Sequence, residues 1–212
     1  MNSKKGFLIV EDDEVWVRLA RHALQPFAPV ESAGDLASGR KVLGQGDVHA
    51  GVLLDLELPD GSGFQLLREL RERGFGAPAL ILTSHTRAEF LREAGRLNAE
   101  FVVKPPEHEF LEQFARRCIS FHWTGDQRIG WLVDELARGE QLSPREVEIV
   151  AASIAGIPRE LMAQELGISV NTLKSQIRRL LLKCRATTLD ELARSLLTRA
   201  LAGSDLGPRR GD

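Results

Sequence analysis

The chain has 212 residues, 27% of them charged, with a formal net charge of −2, and its length predicts one or two domains large enough for real cores. Cys118 and Cys184 lack metal-ligand spacing, His22, His49, His85, His108 and His122 share none, and neither a signal-peptide pattern nor an apolar run near about 18 residues occurs. These features argue against a zinc site, a disulfide framework and a membrane span, and the expectation is a soluble, cytoplasmic protein with free thiols.

Along the first part, short apolar runs alternate with amphipathic stretches. Strands are expected near 6–10, 29–33, 50–54, 79–82 and 100–103, and helices near 14–25, 35–44, 63–73, 87–96 and 106–119. Five alternating units are the signature of βαβ connections and a parallel sheet. Gly74-Phe75-Gly76-Ala77-Pro78 is a stop before the fourth strand. Gly44-Gln45-Gly46 and Gly61-Ser62-Gly63 match neither a phosphate-binding loop nor a dinucleotide fingerprint, and read as turns.

Four of these runs end in matched chemistry. Glu11-Asp12-Asp13 follows Phe7–Val10, Asp55 follows Gly51–Leu54, Thr83-Ser84 follows Ala79–Leu82, and Lys104-Pro105 follows Phe101–Val103. In a parallel α/β sheet the carboxyl ends of strands share one edge, where ligands bind. Crowded carboxylates there would repel one another, and a hard divalent cation such as Mg²⁺ would relieve that repulsion. A phosphoryl group received by one carboxylate would be neutralised by the metal and by Lys104, and hydrogen-bonded by Thr83. The product would be an aspartyl phosphate.

Val10-Glu11-Asp12, Leu54-Asp55-Leu56-Glu57-Leu58-Pro59-Asp60-Gly61 and Phe101-Val102-Val103-Lys104-Pro105 together resemble the receiver domain of two-component response regulators over about residues 5 to 120. The resemblance implies a flavodoxin-like, doubly wound fold of five parallel strands in the order 2-1-3-4-5. It makes Asp55 the phosphoacceptor, with Thr83 and Lys104 assisting, and Asp12 a direct Mg²⁺ ligand. Glu11 is then a partner acting through water, Glu57 a ligand through its backbone carbonyl, and Asp13 falls outside the pair. Thr83 and Phe101 match the switch positions, and Phe101 lacks the hydroxyl of the tyrosine often found there.

Charge shifts along the chain. Residues 1–120 carry 15 Lys+Arg against 18 Asp+Glu, whereas residues 141–212 carry 11 against 8. In between, Trp123, Ile129, Trp131, Leu132 and Leu136 predict an apolar helical stripe in a linker over 121–141. Ser143-Pro144-Arg145-Glu146 is a capping box that starts a helix, Pro158 opens the next, Ser169 caps a third and Thr188 to Glu191 caps a fourth. Only Gly167-Ile168-Ser169 separates the second and third, as a helix-turn-helix requires. Asn171 to Arg185 holds five Lys or Arg and no acid.

Leu142-Ser143-Pro144-Arg145-Glu146, Gly156, and Ala163 through Lys183 resemble the LuxR-type DNA-binding domain over about 60 residues. Gln176 stands where that family often has histidine, and Ile157-Pro158-Arg159 replaces the usual polar opening of the scaffold helix. The resemblance implies double-stranded DNA as partner, read by Asn171, Thr172, Lys174, Ser175, Gln176, Arg178, Arg179 and Lys183.

The expectation is therefore a receiver at 5–120, a partly helical linker at 121–141, a four-helix LuxR-type domain at 142–202 and a flexible tail at 203–212. The chain is expected to be a regulator and not an enzyme. A histidine kinase would phosphorylate Asp55, and the phosphorylated chain would act on DNA as a homodimer and engage RNA polymerase. Two alternatives stand beside this: a DNA-binding regulator whose receiver is never phosphorylated, and a Mg²⁺-dependent phosphatase. The phosphatase motif would need a second Asp where Glu57 stands.

Overall fold

A computed structural model describes residues 6–44 and 49–202, which divide into two compact units between Cys118 and Ile119. The first unit holds β1 (Phe7–Val10), α1 (Glu14–Leu24), β2 (Val30–Ala33), α2 (Leu36–Gly44), β3 (Gly51–Asp55), β4 (Glu57–Leu58), β5 (Gly61–Ser62), α3 (Gly63–Glu72), β6 (Ala79–Thr83), α4 (Ala88–Arg96) and β7 (Glu100–Val103). Helix α5 (His108–Thr124) contains the division. Strands β2-β1-β3-β6-β7 pair in that order and in parallel, which is the expected doubly wound order.

Strands β1, β3 and β6 are buried along their whole length, whereas β2 and β7 at the edges are partly exposed. Continuous apolar runs suit strands covered by helices on both faces. On one face Leu8, Val10, Val52, Leu54 and Ile81 cluster with Leu36 of α2 and with Phe64, Leu67 and Leu70 of α3. The alternate residues Phe7, Ile9, Leu53 and Leu80 are equally buried. On that side Gly51 lies so close to Cys118 and Phe114 of α5 that a Cβ would collide with the thiol. Each fully buried leucine or isoleucine contributes roughly 1.5–3 kcal/mol.

The segment after β3 departs from expectation. Gly61-Ser62-Gly63 is not a turn: Gly61–Ser62 forms β5, antiparallel to β4, and Gly63 opens α3. The connection between β4 and β5 contains Asp60, whose two carboxylate oxygens accept the N–H groups of Leu36 (2.8 Å) and Ala37 (3.0 Å). Asp60 thus satisfies orphan donors at the start of α2 from outside that helix. These bonds, that from Leu36 foremost, hold its carboxyl below the usual carboxylate range.

The second unit holds α6 (Gln127–Gly139), α7 (Pro144–Ile154), α8 (Arg159–Glu165), α9 (Val170–Lys183) and α10 (Leu189–Ala202). The expected box is formed at α7: Ser143 Oγ accepts from Glu146 N, and the Glu146 carboxylate accepts from Ser143 N. Residues 121–141, read from sequence as a linker, contain the end of α5 and all of α6. Helix α6 packs against α7 and α10 and buries Ile129, Leu132, Val133 and Ala137. Between α8 and α9, Gly167 takes φ +64°, a conformation glycine adopts without steric cost. Among the described residues no helix is long and apolar enough to cross a membrane. The tail at 203–212, and Gln45 and Gly46 of the first Gly-rich turn, lie outside the described residues.

Candidate functional site

Because β1, β3, β6 and β7 are neighbours, the residues at their carboxyl ends converge. Glu11 and Asp12 follow β1, Asp55 ends β3, Thr83 ends β6 and Lys104 follows β7. One ligand oxygen from each of Glu11, Asp12 and Asp55 lies within 4.8 Å of the others. The Lys104 ammonium is 2.5 Å from Glu11 Oε2 and 3.3 Å from Asp55 Oδ1, with its side chain only 6% exposed. Glu11 and Asp55 are buried, while Asp12 is exposed.

Burial raises the pKa of Asp55 above the ordinary carboxylate value, against the opposing effects of Lys104 and of backbone N–H groups from Glu57 and Leu56. Burial also raises that of Glu11; Lys104 opposes this, and repulsion from Asp55 adds to it. Crowded anions with raised values are what a divalent cation would relieve. The donors are all hard oxygens, and exposed Asp12 leaves a side open to solvent, so the set fits Mg²⁺. Asp13 stands apart from it, accepting from Val15 N (2.7 Å) as the cap of α1.

Thr83 is fully buried. Its hydroxyl donates to His85 O (3.2 Å) and accepts from His85 N (3.1 Å). Phe101 is half-buried and packs against the apolar cluster of α2 and α3. The Glu57 side chain is exposed, and its carboxylate lies 3.4 Å from His85 Nδ1.

In the second unit, α9 buries Leu173, Ile177 and Leu180. This leaves Asn171, Thr172, Lys174, Ser175, Arg178 and Arg179 exposed on a separate face, with Gln176 half-buried. Ser169 caps the helix, accepting from Thr172 N (3.0 Å). Lys174 and Arg178 border a hollow of about 330 Å³ that Arg159 also lines. Lys183 is engaged elsewhere, donating to Glu146 Oε2 (2.7 Å) and Gln141 O (3.1 Å). A short connection, a buried apolar stripe and a cationic outer face are the geometry of a helix that enters the major groove.

Residues 7–116 match the response regulator receiver domain, and residues 140–196 match the bacterial regulatory proteins of the luxR family. The transcriptional regulatory protein FixJ of Rhizobium meliloti (strain 1021) is 32% identical over 164 residues, covering 76% of this chain and 78% of that protein. The chain belongs to the response regulators. Its second domain is of the LuxR type, and it controls transcription as a two-component regulator. The transcriptional activator protein ExaE of Pseudomonas putida is 29% identical over 203 residues, 88% of this regulator and 93% of ExaE. Full-length FixJ from B. japonicum aligns with 95% of the regulator and 99% of its own chain, at 25% identity and a TM-score of 0.51. Acceptance of a phosphoryl group from a kinase is a general property of this family.

Two residues beside the candidate acidic site gave no functional signal in the sequence. Gly63 packs so tightly on the Asp55 carbonyl that a Cβ would overlap it. The available signal was a glycine opening an amphipathic helix, a costly choice that a close backbone approach explains. Trp16, whose ring lies 5.7 Å from the Lys104 ammonium, gave no signal beyond its place in α1.

Proposed function

We propose that a histidine kinase phosphorylates Asp55 in the presence of Mg²⁺, and that this modification controls sequence-specific DNA binding by α9. The observation that carries the reading is the buried Asp55 carboxylate at a strand end, with Lys104 3.3 Å away and Glu11 and Asp12 within metal-sharing distance. Glu11, Asp12, Asp55 and the Glu57 backbone carbonyl would hold Mg²⁺, which when bound supplies positive charge to the phosphoryl oxygens.

An Asp55 oxygen attacks the phosphorus of the kinase phosphohistidine. The P–O bond forms as the P–N bond breaks, and imidazole leaves. Lys104 follows the charge from the carboxylate to the phosphoryl oxygens. Thr83 exchanges its bonds with the His85 backbone for one to the phosphoryl group, and Phe101 repacks into the space this opens. The result is a shift in a two-state equilibrium on the face built from α4, β7 and α5. Phosphorylated chains pair as homodimers on half-sites about one helical turn apart, in the cytoplasm, and engage RNA polymerase.

Three measurements test this. Asp55→Asn should abolish labelling by a small acyl phosphate with Mg²⁺, and undiminished labelling would sink the assignment. Asp12→Ala should weaken Mg²⁺ binding, and unchanged affinity would move that role elsewhere. Selecting bound DNA from a random pool, with and without acyl phosphate, should enrich one sequence more strongly in the phosphorylated arm.

A further inference from the structure

Lys104 carries a compact cation on a flexible four-carbon stem, so something must fix where that cation sits. Its two anionic partners are unequal. Glu11 Oε2 is at 2.5 Å and Asp55 Oδ1 at 3.3 Å, so the tighter pair holds the ammonium on a group that is not the proposed acceptor. The ammonium also lies over the indole of Trp16, with Nζ 5.7 Å from the ring centroid. Trp16 lies in the first turn of α1, anchored by the Asp13 cap, and is half-buried.

A ring face attracts an ammonium without demanding one bond direction. It therefore keeps the cation in the pocket while the hydrogen-bonding partners change from Glu11 to the oxygens on Asp55. A carboxylate in the same place would compete with the phosphoryl group for Lys104, and an aliphatic side chain would exert no such pull. On the reading of Asp55 as phosphoacceptor, we infer that Trp16 is a positioning residue for phosphoryl transfer: its ring face keeps the Lys104 ammonium beside Asp55.

The test measures the rate of labelling by a small acyl phosphate, at saturating Mg²⁺ and donor, in the full chain. Trp16→Leu should lower the rate about three- to tenfold, the loss expected for one cation–π contact. Trp16→Phe, smaller but still aromatic, should fall between it and wild type, and Mg²⁺ affinity should be unchanged in both. A wild-type rate in Trp16→Leu would overturn the inference while leaving Asp55 as acceptor. Equal slowing in Leu and Phe variants would overturn it too, because loss of bulk alone would then account for the effect. Labelling that survives Asp55→Asn would remove the acceptor and this inference together.

Discussion

The Lys183 ammonium at the end of α9 lies 2.7 Å from Glu146 Oε2, tying the last turn of that helix to the capping box of α7. Burial alone would raise the Glu146 pKa, but the bonds from Lys183 and Ser143 outweigh it and hold the carboxyl below its ordinary 4.5. A folded value below the unfolded one gives stability that is present above the unfolded pKa and lost as pH falls through the folded one. Lys183→Met should therefore destabilise the second unit by about 1 kcal/mol at pH 7, a figure reduced because Lys183 is partly exposed. Urea unfolding at pH 7 and pH 3 checks this: the gap between variant and wild type should close in acid. A gap that persists at pH 3 would deny the ion pair its role.

Gly63 should tolerate no side chain. A Cβ there meets the Asp55 carbonyl, a backbone atom held in the sheet, and cannot be accommodated by a rotamer change. Gly63→Ala should cost about 2 kcal/mol by overpacking and should slow labelling of Asp55 as the strand end shifts. A variant with wild-type urea midpoint and wild-type labelling would show that the hairpin yields easily.

Glu57, two residues after Asp55, and His85, two residues after Thr83, meet at 3.4 Å, both more than half exposed. If Asp55 is the phosphoacceptor, charge and bulk there should flank the path of water to its phosphorylated form. Glu57→Ala or His85→Ala should change the dephosphorylation rate several-fold, about 1 kcal/mol in barrier, with Mg²⁺ binding nearly intact. If the pair acts as one unit, the double variant changes the rate no further than the larger single effect. Following decay of the phosphorylated protein in the three variants decides it, and wild-type lifetimes throughout would place neither side chain on the water's path.

What the sequence revealed and what it hid divide by range. Strand ends were legible because apolar runs are local signals, and the alternation of runs and amphipathic stretches then placed Glu11, Asp55, Thr83 and Lys104 on one edge. The box at Ser143 and Glu146 was legible for the same reason, since both partners lie within one turn. Asp60 capping α2 from 24 residues away was not, nor was Lys183 reaching Glu146 from 37 residues away. A basic run shows that Lys183 is a cation but not which acid the fold brings beside it. Helix α6 was half legible: its apolar stripe was evident, but the α7 and α10 surfaces it covers belong to elements whose arrangement no local pattern encodes.

Lys174, Arg178 and Arg179 are exposed cations of α9 set apart from the stripe of Leu173, Ile177 and Leu180. On the reading of α9 as the helix that meets DNA, each would have one of two roles, with different signatures. A cation on a phosphate contributes to all sequences, so its removal should weaken binding uniformly and lower the slope of log K against log salt by about one unit. A cation on a base edge contributes at one position, so its removal should relax selectivity there at a cost of about 1–3 kcal/mol for the preferred site. Arg178, bordering the hollow with Lys174, lies one helical turn from it on the same face. Single alanine variants, titrated with the selected site and with scrambled DNA at several salt concentrations, separate the two roles. Normal binding by the triple variant would mean that α9 is not the element that reads DNA.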